Sequence, residues 1–349
     1  MSGSIRRWAS VETCALAFIL MLAALLRSID LDVLPPFIDE SGHIRSVNDI
    51  TPDFYQIGKV LGQYIFRPVV NASSDPLSAV RLLVGVIGVF TVFGIYLVTK
   101  RLARVSALRP RAAGASGLIA ASIWAFQPLI LFHDRLALHD PLVVAFHVWA
   151  LLAALYAFAR QDLRISVAAG LLCGFAGMVK FPMLVLVGSC ILLGLAQLPR
   201  SQWIASWRVG VVMIASAVPP FAILWPNRDK FLGSIGSFVG SQSPHVSRIN
   251  LFTENFASLV GWLAGYNTIW FLVLLGIVFC YALSHPTPIR VALAACCALP
   301  VLVLTASMTV FFARYLLPFA IPAAVLVGLS LPPLINSLIA PFPTRETAD

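Results

Sequence analysis

The sequence predicts an all-α polytopic membrane protein with about ten transmembrane helices. The first observation is compositional: 59% of the 349 residues are hydrophobic and only 11% are charged. Soluble domains carry about 25% charged residues. The second observation is the placement of the charges, which separate long apolar stretches and do not gather in one solvated region. The formal net charge of +9 therefore does not indicate a nucleic-acid-binding surface.

The individual spans follow from the stretches without charge. A transmembrane helix needs about 20 mostly apolar residues, and a charge at the bilayer centre costs roughly 2.5–3.5 kcal/mol. The N-terminal run is broken only by Glu12, and we expect a retained first span because no small-residue cleavage site follows it. Lys180 separates a short run from the next one and is expected at the tip of a helical hairpin. The runs cover residues 8–26, 82–99, 112–133, 141–159, 165–179, 181–199, 209–227, 255–289, 291–313 and 315–344.

The basic residues predict the orientation, because cytoplasmic loops are enriched in Lys and Arg. The loop after the second span is therefore expected in the cytoplasm, and both termini with it. Residues 28–80 then form a first outer loop, in which the apolar spacing predicts a short interfacial helix. Residues 228–254 form a second outer loop, and residues 1–349 are expected to be one transmembrane domain. The basic loop contains Lys100, Arg101, Arg104, Arg109 and Arg111.

The first chemical motif is the segment PPFIDESGH at residues 35–43, just beyond the first span. Two adjacent carboxylates, Asp39 and Glu40, follow a rigid apolar approach. Near a bilayer surface the pKa of a carboxyl group can rise towards the value of a useful general base. The alternative is structural, with Asp39 as the N-cap of a helix and Glu40 in its first turn. Glu40 and His43 also have the Glu-x-x-His spacing that can place two metal ligands on one helical face.

The second motif is the segment HDRLALHDP at residues 133–141, a short outer turn between two spans. Asp140 precedes Pro141, which is typical of a helix start, so capping is again the structural alternative. The repeated His-Asp pairs could also bind a divalent cation.

Several cations are expected at the level of the outer membrane surface, where each needs a partner or a purpose. Snorkelling towards lipid phosphates is the simplest explanation, and we expect it for Arg81. Lys180 differs because it lies at a hairpin tip, where an ammonium could bind a phosphate whose lipid tail lies in the bilayer. The set comprises Lys59, Arg67, Arg81, Arg135, Lys180 and Arg314.

Carboxylates and membrane-level cations on one face suit transfer from a lipid-linked phosphosugar. Cations stabilise the departing phosphate, while a carboxylate takes the proton of an acceptor hydroxyl as it attacks the anomeric carbon. A nucleotide-dependent enzyme would instead need a phosphate-cradling loop such as the Walker pattern, which the sequence does not contain.

Several segments, in this order, resemble the GT-C glycosyltransferases, specifically the protein-mannosyltransferase-like group of glycosyltransferase family 39 and related bacterial enzymes. The sequence departs from the family pattern where it reads Val179-Lys180-Phe181-Pro182 in place of Thr-Lys-Gly-Pro, and it contains no His-Pro-Pro-Leu motif. The resembling segments are FIDESGHIR (37–45), DPLSAVRLLVGVIGVFTVFGIYLVTKRL (75–102), FQPLILFHDRLALHDPLVV (126–144), GLLCGFAGMVKFP (170–182) and RYLLPFAIPAAVL (314–326).

The resemblance implies a GT-C-like fold and a role for each matching position. Asp39 would be the catalytic base with Glu40 beside it, and Asp140 would complete the acidic site. A divalent cation, if one is used, would be held among Asp39, Glu40, His43 and Asp140. The expected contacts to the donor phosphate are Lys180, Arg135, Lys59 and Arg314.

The resulting hypothesis is a glycosyltransferase of the plasma or inner membrane that acts on its non-cytoplasmic face. The donor would be a polyprenyl-phosphate-linked hexose or pentose, transfer would invert the anomeric carbon, and the acceptor would be a lipid, a glycan or a protein. Membrane lipids are expected partners and nucleic acids are not. Two alternatives stay open: a transporter or flippase of lipid-linked glycans, and a non-catalytic scaffold with the same fold.

Overall fold

The structure is a computed structural model of the 349-residue chain. It describes residues 3–48, 60–106, 108–180, 185–222, 228–229, 248–266, 269–307 and 312–339, and in these ranges the regular structure is helical. The helices are α1 (Gly3–Ser28), α2 (Ile38–Arg45), α3 (Val60–Ala72), α4 (Pro76–Val105), α5 (Pro110–Phe126), α6 (Pro128–His133), α7 (Asp140–Arg160), α8 (Leu163–Val179), α9 (Leu186–Ala196), α10 (Trp207–Ala217), α11 (Arg248–Tyr266), α12 (Ile269–Ser284), α13 (Pro288–Ser307) and α14 (Leu317–Ile339).

The prediction of an all-α membrane protein is confirmed, but the count of ten spans is not. Among the described residues, five helical segments are long and apolar enough to cross a bilayer, and a sixth is added if α11 and α12 form one broken span. The apolar helices α8, α9 and α10 are shorter than a full span. The five long segments are Ser10–Ser28, Pro76–Val105, Asp140–Arg160, Pro288–Ala306 and Ala313–Ser337.

Two predicted runs are divided in the structure. The run 112–133 breaks at Gln127, whose side chain accepts a hydrogen bond from the backbone N–H of Ile130 and so starts α6 afresh. Pro128 at the first position of α6 has no N–H to continue the ladder of α5. The run 255–289 is divided between α11 and α12, whose axes differ by 116°.

The centre of the bundle is α7, which packs on α4, α8 and α9. Close approach of helices is provided by small residues, as is usual in membranes. Gly170 and Gly174 of α8 face α10 so closely that an added Cβ would lie 2.3 and 2.5 Å from the carbonyl oxygens of Met213 and Ala217. Larger side chains at these two glycines would therefore separate the two helices.

One end of the bundle brings together residues that are far apart in the sequence. Asp140 begins α7 and Lys180 follows the end of α8. Because these two helices pack antiparallel to each other, both residues lie at the same end of the bundle. A 3₁₀ turn, Ala313–Leu316, precedes α14 at the same end. The first loop contributes two short helices, α2 and α3, as expected.

Candidate active site

The ion pair between Asp39 and Arg314 joins the first loop to the start of the last helix. Arg314, in the 3₁₀ turn before α14, donates from Nη1 to Asp39 Oδ2. Helix α2 begins at Ile38 after Phe37, so Asp39 lies inside the helix rather than at its N-cap. The side chain of Asp39 is 35% exposed, against 13% for Arg314. The carboxylate is therefore oriented by a cation yet open to solvent.

A second ion pair lies beside the first and shares Arg314 with it. Lys180 Nζ donates to Asp140 Oδ1 over 2.5 Å, and Arg314 Nε lies 3.9 Å from Asp140 Oδ2. Asp140 is the first residue of α7, and its carboxylate contacts these cations instead of capping the helix, which is preceded by His139. Two carboxylates and two cations therefore form one cluster, which we call the acid–base cluster: Asp39, Asp140, Lys180 and Arg314.

Aromatic rings support the cations of the acid–base cluster. The ammonium nitrogen of Lys180 lies 3.9 Å from the centre of the Tyr315 ring, and Tyr315 is itself buried. The Arg314 guanidinium lies 4.5 Å from the centre of the Phe312 ring and 5.7 Å from that of Tyr315. A cation over an aromatic face is attracted by the ring quadrupole, more strongly where water is excluded. Sequence reasoning assigned no role to Tyr315, although its position next to Arg314 was the available signal.

Glu40, the neighbour of Asp39, is directed into the protein. Arg81 Nε and Nη2 donate to its two carboxylate oxygens over 2.8 and 2.6 Å, and both side chains have no exposed surface. The backbone N–H groups of Ala137 and Phe37 donate to the same carboxylate. Burial alone would raise the pKa of Glu40, but these hydrogen bonds outweigh it and hold that pKa below its ordinary value.

The expectation that Arg81 snorkels to lipid phosphates is wrong. Besides its two bonds to Glu40, its guanidinium donates to the carbonyl oxygens of Leu31, Leu34 and Pro35. A fully buried guanidinium needs such partners because isolated charge is costly inside a protein. Arg81 thereby fixes the segment that leads into α2, and with it the position of Asp39.

A third buried pair, Arg27 with Asp134, holds the turn before α7 against the end of α1. Arg27 Nε and Nη2 donate to Asp134 Oδ2 over 3.0 and 2.8 Å. Burial raises the pKa of Asp134 above its ordinary value, and the Arg27 charge opposes this effect only in part. Arg135, predicted to contact phosphate, donates to the carbonyl oxygens of Ile29 and Asp30 instead of joining the acid–base cluster.

The histidines of both motifs pack near this turn. His43 and His139 stack with ring centres 4.0 Å apart, and His43 Nδ1 lies 3.1 Å from the carbonyl oxygen of Ala137. Burial lowers the pKa of His133 from its ordinary value; a hydrogen bond with the Leu129 carbonyl and the charge of Asp140 act in the opposite direction.

The described residues do not form a metal site. Among them, no group of three or more His, Cys, Asp or Glu side chains is close enough to hold a metal ion. Arg314 contacts both Asp39 and Asp140, and Glu40 is saturated by Arg81 and backbone donors. Lys59, expected to contact phosphate, lies outside the described residues, and so does most of the predicted second outer loop, 228–254.

Comparison with known proteins identifies a family likeness in the middle part of the chain. Residues 57–224 match the family model described as dolichyl-phosphate-mannose-protein mannosyltransferase. This range includes Asp140 and Lys180, while Asp39 and Arg314 lie on either side of it. The resemblance expected from the sequence is thereby confirmed. A search of curated proteins finds no significant match.

Solved structures share the fold. The oligosaccharyltransferase AglB of Archaeoglobus fulgidus, in complex with an inhibitory peptide and a dolichol-phosphate, aligns with a TM-score of 0.58, 15% identity and coverage of 97% of this chain and 51% of that chain. The apo form of the Archaeoglobus fulgidus oligosaccharyltransferase aligns with a TM-score of 0.55 and 13% identity over 94% of this chain and 51% of that one. This chain therefore has the transmembrane fold of these enzymes and spans about half of their length.

Proposed function

We propose that this integral membrane protein is a glycosyltransferase that moves a sugar from a polyprenyl-phosphate-linked donor to a lipid, glycan or protein acceptor. The observation that carries the proposal is the acid–base cluster, in which two carboxylates and two cations from four distant segments meet at one end of the bundle. The family match over residues 57–224 and the shared fold support it. So does the dolichol-phosphate bound by the archaeal relative, a lipid phosphate of the kind we expect this chain to use.

The two cations suit a phosphate leaving group. Lys180 and Arg314 are both mostly buried, so their interactions with a phosphate would be weakly screened by water. Charge develops on the phosphate oxygen as the sugar departs, and positioned cations stabilise that charge. In the structure Lys180 donates to Asp140 and Arg314 donates to Asp39, and the phosphate of the sugar donor would compete with these carboxylates.

Asp39 is the proposed general base because its carboxylate is the most exposed group of the cluster. The Asp39 carboxylate takes the proton of the acceptor hydroxyl while the acceptor oxygen forms a bond to the anomeric carbon. The bond from that carbon to the phosphate oxygen breaks, and its electron pair leaves with the phosphate. A single displacement of this kind inverts the anomeric carbon.

The other predicted residues receive supporting roles. Asp140 orients Lys180 and Arg314, and Glu40 positions Asp39 through the bonds that tie α2 to Arg81. Arg135 contacts the end of α1, so any role in phosphate binding requires it to exchange the carbonyl oxygens of Ile29 and Asp30 for the donor. No step is assigned to a metal ion, because Arg314 supplies the positive charge between Asp39 and Asp140.

We further propose that the acid–base cluster lies on the non-cytoplasmic face of a plasma or inner membrane, with both termini in the cytoplasm. The opposite end of α4 and α7 carries Lys100, Arg101, Arg104 and Arg160, and such basic ends are retained in the cytoplasm. The whole chain, residues 1–349, would then act as one transmembrane domain.

The test is a transfer assay with membrane fractions and a panel of radiolabelled polyprenyl-phosphate sugars. We expect one donor to be used, and Asp39→Asn to reduce transfer at least 10³-fold while expression and membrane insertion are unchanged. Asp32→Asn, an exposed acid in the same loop, is the matched control and should retain full activity. Unchanged activity of Asp39→Asn would remove the base assignment. Donor movement across the membrane without any transfer would instead favour the transporter.

A further inference from the structure

The end of the bundle opposite the acid–base cluster carries two arginines directed at one tyrosine. Arg101 of α4 and Arg160 of α7 place their guanidinium carbons 5.2 and 5.3 Å from the centre of the Tyr156 ring. Arg160 ends the helix that Asp140 begins, so about 30 Å of helix separates this pair from the acid–base cluster. Tyr156 is 36% exposed.

The two guanidinium groups have no acidic counterpart in the described part of the chain. No carboxylate there lies within the 4.0 Å of an ion pair with Arg101 or Arg160, although other cations at this end are paired, as Lys100 is with Glu12. Arg101 Nε is buried and makes no hydrogen bond to any described group. Arg101 and Arg160 place two positive charges at one ring, and the buried N–H at Arg101 Nε has no described acceptor. A bound anion would neutralise the two charges and could accept that hydrogen bond.

An apolar strip leads to this site along α4 and α7. Phe93 and Leu97 precede Arg101 by two turns and one turn of α4 and are half-buried, and Trp149 lies two turns before Tyr156 on α7. The rings of Phe93 and Trp149 are in contact, with centres 6.3 Å apart. From Phe93 to Arg101 the strip is about 12 Å long, close to the roughly 15 Å depth of one hydrocarbon leaflet.

We infer that the Arg101–Tyr156–Arg160 site binds the headgroup phosphate of an anionic phospholipid, with an acyl chain along the strip of Phe93, Leu97 and Trp149. The two cations have no carboxylate partner among the described residues, and they adjoin a half-buried, partly aromatic apolar strip. This combination matches a phospholipid and not a water-soluble anion. Basic pockets between transmembrane helices bind anionic headgroups by the same charge complementarity. The inference is independent of the proposed transfer activity.

The experiment uses the full chain purified in detergent, with phosphatidylglycerol and phosphatidylcholine added separately. Native mass spectrometry counts retained lipid, and the thermal unfolding midpoint reports stabilisation. We expect the wild-type protein to retain phosphatidylglycerol in preference to phosphatidylcholine. The double variant R101Q/R160Q should bind phosphatidylglycerol at least tenfold more weakly.

The control R164Q/R200Q removes two exposed charges from the same end of the bundle and should bind phosphatidylglycerol like the wild type. The single variant Arg160→Gln changes only an exposed helix end, so the test can still be made if the double variant does not fold. This variant should lose part of the affinity for phosphatidylglycerol. If R101Q/R160Q and R164Q/R200Q lost phosphatidylglycerol binding equally, the lipid would be responding to net charge and the proposed site would be refuted. Stabilisation by inorganic phosphate equal to that by phosphatidylglycerol would overturn the lipid assignment.

Discussion

Replacement of Glu40 by glutamine tests whether the Glu40–Arg81 pair fixes the position of the proposed base. Glutamine keeps the shape of the side chain but removes the charge opposite a fully buried guanidinium. Its amide group would also face one of two backbone N–H groups, that of Ala137 or that of Phe37, donor against donor. Removal of one partner from a buried ion pair costs about 3–5 kcal/mol. In a chain of 349 residues that corresponds to a decrease of roughly 4–7 °C in the unfolding midpoint.

The assay is thermal unfolding of the detergent-purified chain, with Asp32→Asn as the control for an exposed acid. The double variant E40Q/R81M removes both charges and should recover part of the loss, because no unpaired charge remains in the interior. Transfer by Glu40→Gln should decrease at temperatures at which the protein is still folded, since the segment that carries Asp39 is loosened. An unfolding midpoint of Glu40→Gln equal to that of Asp32→Asn would refute the reasoning.

The pH dependence of stability provides a second measurement on the same pair. The pKa of Glu40 lies below its ordinary value of 4.5 in the folded protein, so the unfolded chain binds this proton more readily. The stabilisation from Glu40 is therefore complete above the ordinary pKa and is lost as the pH falls through the lowered value. We expect acid to lower the free energy of unfolding of the wild type through protonation of Glu40. The folded Glu40→Gln variant should lack this part of the acid destabilisation. Identical acid profiles would contradict the assignment.

Three further predictions concern the acid–base cluster. Lys180→Ala should raise the KM for the donor by about 10- to 100-fold and that for the acceptor by less, because in the proposed mechanism the ammonium would contact the donor phosphate. Equal effects on both KM values would count against phosphate contact. Tyr315→Phe keeps the ring under Lys180 and should retain the affinity for the sugar donor, whereas Tyr315→Leu should weaken that affinity several-fold. Equal affinities of the two variants would exclude a contribution of the aromatic ring. The transfer rate in excess EDTA should stay within about twofold of the rate without EDTA, because Arg314 supplies the cation between two carboxylates. Complete loss of transfer that a divalent metal restores would disprove metal independence.

The helical architecture could be predicted from the sequence because bilayer insertion is local chemistry. An apolar run long enough to cross a bilayer must satisfy its own backbone hydrogen bonds, which a helix does within the run, and the charged residues mark where the runs end. The helix breaks were harder to predict, because Gln127 and Pro128 separate α5 from α6 inside a run without charged residues. Lys180 directly follows the end of α8, where the sequence placed it because it separates two uncharged runs. The predicted hairpin tip itself lies partly outside the described residues.

The pairing of the charged residues could not be predicted in the same way. Snorkelling to lipid is the simplest expectation for Arg81 because the sequence places it at the outer membrane level, yet its partner in the structure is Glu40, 41 residues away. Arg135 and Arg314 looked equivalent in the sequence, but backbone carbonyls hold the first and carboxylates hold the second. Such choices depend on helix packing over the whole bundle, which no short pattern encodes.

The bond between Asp39 and Arg314 joins positions 275 residues apart, and this has a consequence for biogenesis. During synthesis Asp39 is made 275 residues before Arg314, so for that interval the nascent chain carries its proposed base without the guanidinium that orients it. The proposed site would therefore be completed only when the segment that carries Arg314 packs against the earlier helices. Until then the proposed base would lack its orienting cation.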